Sequence, residues 1–115
     1  MKMLIAVIQP TRLDAVHQAL ERLDVTRMTV CDAQGYARQR GQLETYRGHE
    51  YQTNLLRKIA LEIAVNDDFL DRTVECLEEV ARTSADGHIG DGKIFVVPMD
   101  VAIQISDGYR GKGAI

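Results

Sequence analysis

The chain has 115 residues, of which 45% are hydrophobic and 27% are charged, and its formal net charge at neutral pH is -3. This length predicts one domain with a single core, and the small negative charge excludes a general attraction to nucleic acid or anionic membranes. The longest apolar runs, such as Met3 to Ile8, are too short to span a bilayer and no signal-peptide pattern precedes them, so a cytoplasmic protein is expected.

The first third of the chain predicts a strand, a helix and a second strand. The apolar run from Lys2 to Gln9 is typical of a central strand, which Pro10 closes. Thr11 is expected to cap an amphipathic helix that continues through Asp24. Frequent β-branched residues from Val25 to Ala33 predict the second strand.

The stretch from Gly35 to Lys58 shows little hydrophobic periodicity and holds three of the four tyrosines. We expect a long loop with a functional role here, because long irregular segments inside short domains are mostly functional arms or linkers. Strict alternation from Lys58 to Val65 then predicts a strand, and an apolar stripe from Phe69 to Ala81 predicts a helix that ends near residues 82–84.

The last part of the chain predicts a glycine-rich turn from Gly87 to Gly92 and a strand from Ile94 to Val97. A further alternating strand is expected from Val101 to Ile105, followed by an irregular tail. The resulting order, βαββαβ with a short extra strand, indicates an α+β ferredoxin-like fold with two helices on one face of an antiparallel sheet. This fold serves many functions and names none.

The glycine-rich turn continues into Lys93 with the glycine and lysine spacing of a Walker A loop. Ile94 follows where that motif needs Ser or Thr, and a strand follows where it needs a helix, so the P-loop interpretation fails. Two interpretations remain open: backbone amides and a lysine that cradle a phosphate, or a turn that uses glycine for its dihedral angles.

Polar residues flank the two ends of the long loop. Lys58 and Glu62 lie on the polar face of one strand, and Arg38 and Gln39 lie near the other end of the loop. If the two stems pair, these groups converge on a site for an anionic ligand. The alternative is a solvated strand face with ordinary surface charges.

Other function classes find little support in the sequence. Ser84 and Ser106 are the only serines and no G-x-S-x-G elbow occurs, which argues against hydrolytic catalysis. The first and third strands lack the aromatic residues that stack on RNA bases. The cysteines Cys31 and Cys76 are expected to be reduced thiols, and the scattered histidines give no metal-binding pair.

Several motifs together resemble the PII nitrogen-regulatory signal-transduction proteins over essentially the whole chain. The two most specific are the IGDGKIFV run, Ile89 to Val96, and the YRGxEY segment, Tyr46 to Tyr51, at their proper separation. The resemblance also covers Met28-Thr29-Val30, Arg38-Gln39 and the terminal Ala114-Ile115.

This resemblance implies a cytoplasmic, non-enzymatic homotrimer with one domain over residues 1–115. It also implies a T-loop at about residues 36–56, a glycine-rich B-loop at about 83–93 and a C-terminal tail at 106–115. In such proteins ATP and ADP compete for clefts between subunits, 2-oxoglutarate binds beside ATP and Mg²⁺ at the base of the T-loop, and the T-loop docks onto protein partners.

The resemblance assigns expected roles residue by residue. Nucleotide contacts are expected at Thr29, Arg38, Ala64, Gly90, Asp91, Gly92 and Lys93, and at the last-strand and tail positions Gln104, Ser106 and Arg110. Effector contacts are expected at Ala37, Gln39 and Lys58, with Gln39 also a ligand of nucleotide-bound Mg²⁺. Partner contacts are expected at Tyr46, Arg47, His49 and Tyr51, and Tyr51 matches the tyrosine that is uridylylated in some members.

The chain also departs from the family pattern. Gln104 and Ser106 stand where members usually have two phosphate-gripping arginines. Ala37 replaces a glycine, His49 replaces a small residue and His88 replaces a lysine. The loss of these two charges has three possible consequences: weaker nucleotide binding, a preference for ADP or AMP, or contacts from tail residues such as Arg110 that replace the missing arginines.

Three hypotheses follow from this pattern. The first is a sensor that binds an adenine nucleotide and a small anion, such as 2-oxoglutarate or bicarbonate, and regulates a partner in nitrogen metabolism. The second is a trimeric adaptor without nucleotide control. The third, an enzyme on the same fold, is motivated only by the Walker-like spacing that ends at Lys93.

Overall fold

The computed structural model describes the backbone of residues 1–38 and 53–115 and the side chains of residues 1–35 and 55–115. Its strands and helices are, in chain order, β1 (Lys2–Ile8), α1 (Leu13–Arg22), β2 (Thr29–Arg38), β3 (Thr53–Val65), α2 (Asp67–Ala81) and β4 (Gly92–Pro98). The strands form an antiparallel sheet in the order β2-β3-β1-β4. The predicted ferredoxin-like α+β fold is confirmed.

Alternation along the two central strands decides which face of the sheet is buried. Leu4, Ala6 and Ile8 of β1 point to the same side as four apolar residues of β3, and all seven are at most 4% exposed. The four are Ile59, Leu61, Ile63 and Val65. α1 and α2 cover this side through Val16, Leu20 and Leu77. The opposite side, called here the open face, carries the alternate residues, among them Phe95 and Val97 of β4, which are 50% and 44% exposed.

The first helix begins differently from the sequence prediction. Pro10 to Arg12 form a 3₁₀ turn, α1 begins at Leu13, and neither start has a side-chain cap, so the predicted cap by Thr11 is wrong. Instead, the Nε and Nη2 atoms of Arg12 donate to the carbonyl of Val80 at 2.9 and 2.7 Å. This cation satisfies a carbonyl at the end of α2 and joins the two helices.

The second strand begins later and ends later than predicted. After α1, Asp24 adopts a φ of 62° and Val25 N–H donates to the carbonyl of Leu20, so the chain is still turning where a strand was expected. β2 and β3 then pair as far as Arg38 and Thr53. The prediction of an irregular segment from Gly35 to Lys58 is therefore wrong at both ends, where the residues belong to paired strands. The sequence did not indicate these strand ends because they lack apolar periodicity. Residues 39–52 lie outside the described residues.

The predicted strand from Val101 to Ile105 is also wrong. A single bridge joins Ile103 and Arg110 across a turn, and a 3₁₀ turn, Lys112–Ala114, follows in the tail that was expected to be irregular. Ile105 is 99% exposed, so its alternation with polar neighbours reflects no burial within this chain. A period-two pattern predicts a strand only where another strand edge is available for pairing.

Candidate ligand-binding site

Residues 82–91, called here the glycine loop, connect α2 to β4, which begins at Gly92. Gly87 N–H donates to the carbonyl of Ser84, and Asp91 N–H donates to the carbonyl of His88, each at 3.1 Å. Gly87 and Gly90 have φ values of 76° and 101°, which side-chain-bearing residues rarely adopt. The glycines are therefore needed for the path of this loop.

The carboxylate of Asp91 holds the glycine loop closed. It accepts hydrogen bonds from Thr83 Oγ1 at 2.7 Å, from Thr83 N–H at 3.4 Å and from His88 N–H at 2.8 Å. The hydrogen bond from the Thr83 hydroxyl, followed by that from the His88 amide, lowers the pKa of Asp91. The ionised side chain is thus engaged within its own loop.

Two backbone amides remain available at the tip of this loop. Among the described residues, the N–H groups of Ile89 and Gly90 donate to no acceptor. Successive amides in such a turn form a concave donor surface for an anion. This geometry favours the phosphate-cradle interpretation of the sequence over the simple turn.

The carbonyl of Gly90 joins the glycine loop to the sheet. Lys58 Nζ donates to it at 2.8 Å and Gln9 Nε2 donates at 2.7 Å. Lys58 is only 9% exposed, and a Cβ added to Gly35 would lie 3.3 Å from Lys58 Cγ, so the glycine leaves space for the lysine stem. Sequence reasoning missed Gln9, although a polar side chain at the carboxyl end of β1 beside the predicted glycine turn was a usable signal.

The environment of Lys58 suits an anion. Within residues 1–35 and 55–115, no carboxylate forms an ion pair with its ammonium group, and the hydrogen bond to a neutral carbonyl does not compensate its charge. Burying an uncompensated charge is costly, so an anionic ligand at this position would gain a strong, charge-assisted contact. Lys58 is therefore the best-supported member of the predicted effector site.

A cavity of about 510 Å³ lies beside the glycine loop and contains both signs of charge. Arg82, His88 and Lys93 line it on the basic side. Lys93 is opposite Val7 in the register of β4 and β1, which places it on the open face. The preceding Gly92 is required at the start of β4, since a Cβ there would overlap the Val7 carbonyl oxygen and lie 2.9 Å from its carbonyl carbon.

A second group of predicted residues lies at the other end of the sheet. Thr29 and Ala64 line a cavity of about 310 Å³ together with Arg27 and Ile115. Ala64 is opposite Met3, whereas Lys93 is opposite Val7, so the two groups are separated by four residues of β1. That separation is roughly 13 Å along the strand, so a single chain does not bring them together.

A model of a known protein family matches this chain over nearly its whole length. The family model described as "Nitrogen regulatory protein P-II" covers residues 1–109. The chain belongs to the P-II family. The resemblance inferred from the IGDGKIFV and YRGxEY motifs is thereby confirmed.

Individual P-II relatives support the same assignment. The chain is 49% identical to nitrogen regulatory protein GlnK1 of Methanosarcina mazei over 100% of this chain and 97% of the relative. It is 43% identical to nitrogen regulatory protein P-II 1 of Escherichia coli K12 and 40% identical to the P-II protein of Azospirillum brasilense, each over 100% of both chains. These relatives are named as regulatory proteins.

Two of the residues predicted to contact the nucleotide, Gln104 and Ser106, contact each other. Gln104 Nε2 donates to Ser106 Oγ at 3.0 Å within the turn that ends in the bridge between Ile103 and Arg110. Arg110 is exposed. Among the described residues, no hydrogen bond joins this turn to the glycine loop.

The stems of the predicted T-loop pair as parts of β2 and β3, but their register does not bring the predicted anion ligands together. Lys58 is opposite Ala33, whereas Ala37 is opposite Asn54 and Arg38 is opposite Thr53. The expectation that paired stems bring Arg38 beside Lys58 is therefore wrong at the level of the backbone, since five residues of β2 separate them. Predicted residues outside the described part of the chain are Gln39, Tyr46, Arg47, His49 and Tyr51.

Within the described part of this P-II chain, three further observations concern the remaining predictions. Cys31 and Cys76 are free thiols. No group of three or more metal-ligating side chains is present in residues 1–35 and 55–115. The helices found in the described residues are too short or too polar to cross a membrane.

Proposed function

We propose that this chain is a non-enzymatic P-II-type sensor that binds an adenine nucleotide together with a small anion and signals through its T-loop. The observation that carries the proposal is the hydrogen bond from the buried Lys58 ammonium to the carbonyl of Gly90. This contact links the base of the β2–β3 hairpin directly to the glycine loop. A ligand at either place thus affects the other.

The proposed nucleotide site lies between subunits of a homotrimer. Thr29 and Ala64 lie at one end of the sheet and Gly90 and Lys93 at the other, so one chain leaves the two groups of residues apart. Two neighbouring chains supply both halves. Half-exposed Phe95 and the other apolar residues of the open face support association, because burying such a surface stabilises an oligomer.

In the proposed site the phosphates face the glycine loop. The amides of Ile89 and Gly90 and the ammonium of Lys93 donate to them, while the carboxylate of Asp91 keeps the loop in shape. Gln39 would be the protein ligand of a Mg²⁺ ion bound to the nucleotide, and the ion would offset part of the phosphate charge.

The proposed effector is a small dianion such as 2-oxoglutarate, held by Lys58 and Gln39 next to Ala37. Because the described register places the end of β2 far from Lys58, an anion that contacts both Lys58 and Gln39 favours a state in which the start of the T-loop is drawn toward the sheet. The effector changes the surface presented by Tyr46, Arg47, His49 and Tyr51. We propose that a cytoplasmic partner in nitrogen metabolism recognises this surface.

One observation favours a variant of this function. Gln104 and Ser106 bond to each other and carry no charge, so fewer cations face the phosphates than in P-II proteins with arginines at these positions. A sensor that prefers ADP or AMP, or one that responds to bicarbonate, gains support from this contact. An adaptor that ignores nucleotides is the extreme case.

Calorimetric titration of the purified protein with ATP, ADP and AMP tests the proposal, each with and without Mg²⁺ and with 2-oxoglutarate or bicarbonate. Saturable nucleotide binding, strengthened by one of the anions, is the expected result. Light scattering is expected to give three chains per particle. Absence of binding at millimolar nucleotide would rule out the sensor and leave the adaptor.

A further inference from the structure

Arg27 lies between two adjoining cavities at the end of the sheet that holds Thr29. Each cavity has a volume of about 310 Å³. Arg27, Ala64 and Ile115 line both cavities, whereas Thr29 lines one and Asn66 lines the other. Arg27 thus borders the same space as two residues assigned to the nucleotide, although the sequence motifs did not include it.

Backbone contacts on either side hold Arg27 in place, whereas its side chain is exposed and can contact a ligand. Val25, two residues earlier, is 7% exposed and donates its N–H to the carbonyl of Leu20 at 3.0 Å. Thr29, two residues later, begins β2 and pairs with Glu62. Arg27 itself is exposed, and its guanidinium forms no ion pair or hydrogen bond with the side chains and backbone of residues 1–35 and 55–115.

The charges around Arg27 decide which part of a nucleotide it meets. β2 runs from Thr29 toward Arg38, and Lys58 is opposite Ala33, so Arg27 precedes Thr29 on the side away from the anion-binding residues. Asp24 lines one of these cavities and Glu62 lines the other, and their negative charges disfavour phosphate there. An uncharged, planar group with polar edges suits this position better.

We propose that Arg27 contacts the purine base, with the plane of its guanidinium stacked on the face of the ring. The inference rests on the proposed function, because it takes Thr29 and Ala64 as the seat of the base. Arginine is suited to this contact, since its guanidinium is planar and weakly hydrated and stacks on aromatic faces, whereas a lysine ammonium is a compact and strongly hydrated charge.

Calorimetric titration with AMP, ADP and ATP tests this inference on the assembled protein. Arg27→Ala is expected to raise Kd by about 3- to 10-fold, the range of one stacking contact. The factor is expected to be the same for all three nucleotides and at low and high salt, because the base is common to them. Arg27→Lys is expected to lose a similar factor, since it keeps the charge and lacks the plane.

Arg22→Ala is the matched control, because Arg22 is an equally exposed arginine at the end of α1 and lines neither cavity. Its Kd values are expected to equal those of the wild type, and unchanged melting temperatures exclude misfolding of any variant. Unchanged affinity in Arg27→Ala, full rescue by lysine, or a loss that grows from AMP to ATP would each overturn the inference while the sensor proposal stands. A wild-type protein that binds none of the three nucleotides would overturn both.

Discussion

Replacing Gly92 by alanine tests the connection between the glycine loop and the sheet. Gly92 is the first residue of β4, opposite Ile8, and its φ is 130°. An added Cβ would overlap the carbonyl oxygen of Val7 and lie 3.3 Å from the Cα of Ile8. Both neighbours are backbone atoms of a central strand, so neither can rotate away.

Two costs contribute to the expected loss of stability. The unfavourable φ costs about 1–3 kcal/mol for a residue with a side chain. Separating the first pair of β1 and β4 leaves a backbone group unpaired, at a cost of about 1–3 kcal/mol. The total of roughly 2–6 kcal/mol corresponds to a fall in melting temperature of about 10–30 °C for a domain of this size.

Gly108→Ala is the matched control for this substitution. Gly108 also has a positive φ, 71°, but a Cβ there would have no atom within 4 Å. This variant is expected to lose only about 1 kcal/mol, the cost of the dihedral angle.

Thermal unfolding followed by circular dichroism at matched protein concentration measures both variants, since the melting temperature of an oligomer depends on concentration. Loss of nucleotide affinity is expected to accompany the loss of stability in Gly92→Ala alone. If the two variants melted within about 2 °C of each other, the close approach of Gly92 to β1 would not be the constraint described here.

Three further substitutions test individual contacts. Lys58→Met keeps the aliphatic stem and removes the donor to Gly90, so calorimetry should show that 2-oxoglutarate no longer strengthens ATP binding. The control Lys2→Met, at an exposed ion pair, should leave this coupling intact. Coupling retained in Lys58→Met would remove Lys58 from the effector site. Asp91→Asn should lower the free energy of unfolding at neutral pH. Because the pKa of Asp91 is lowered in the folded state, the difference in this free energy between wild type and variant should shrink as the pH falls below about 4. A difference in urea unfolding that does not change with pH would contradict this account. Arg12→Ala should cost about 1–2 kcal/mol of stability through the two lost hydrogen bonds to the end of α2, and an unchanged urea midpoint would refute it.

Some of this protein was predictable because the information is local. Alternation in Lys58 to Val65 and helical spacing in α2 report which side of each element is buried, so the element types and the ferredoxin-like order followed from the sequence. The glycine loop was predictable for a similar reason, since Gly87 and Gly90 adopt dihedral angles that other residues avoid. The P-II motifs then named the family.

Other features depend on contacts between distant parts of the chain. The register that places Lys58 opposite Ala33, far from Arg38, depends on the length of the hairpin stems, and these stems carry no apolar pattern. The strand predicted at Val101 to Ile105 failed because pairing needs a neighbouring edge, which periodicity does not report.

The amino-acid sequence was enough to predict β1, β4, the Lys58 to Val65 part of β3, both helices and the glycines of the tight loop, because each follows from the period of burial or from backbone dihedral angles. The meeting of Gln9 and Lys58 at the carbonyl of Gly90, and the place of Arg27 beside Thr29, became visible in the folded chain alone. Those meetings are set by strand register and loop path. Both arise from packing across the whole chain, where the spacing of residues in the sequence no longer indicates their distance in space.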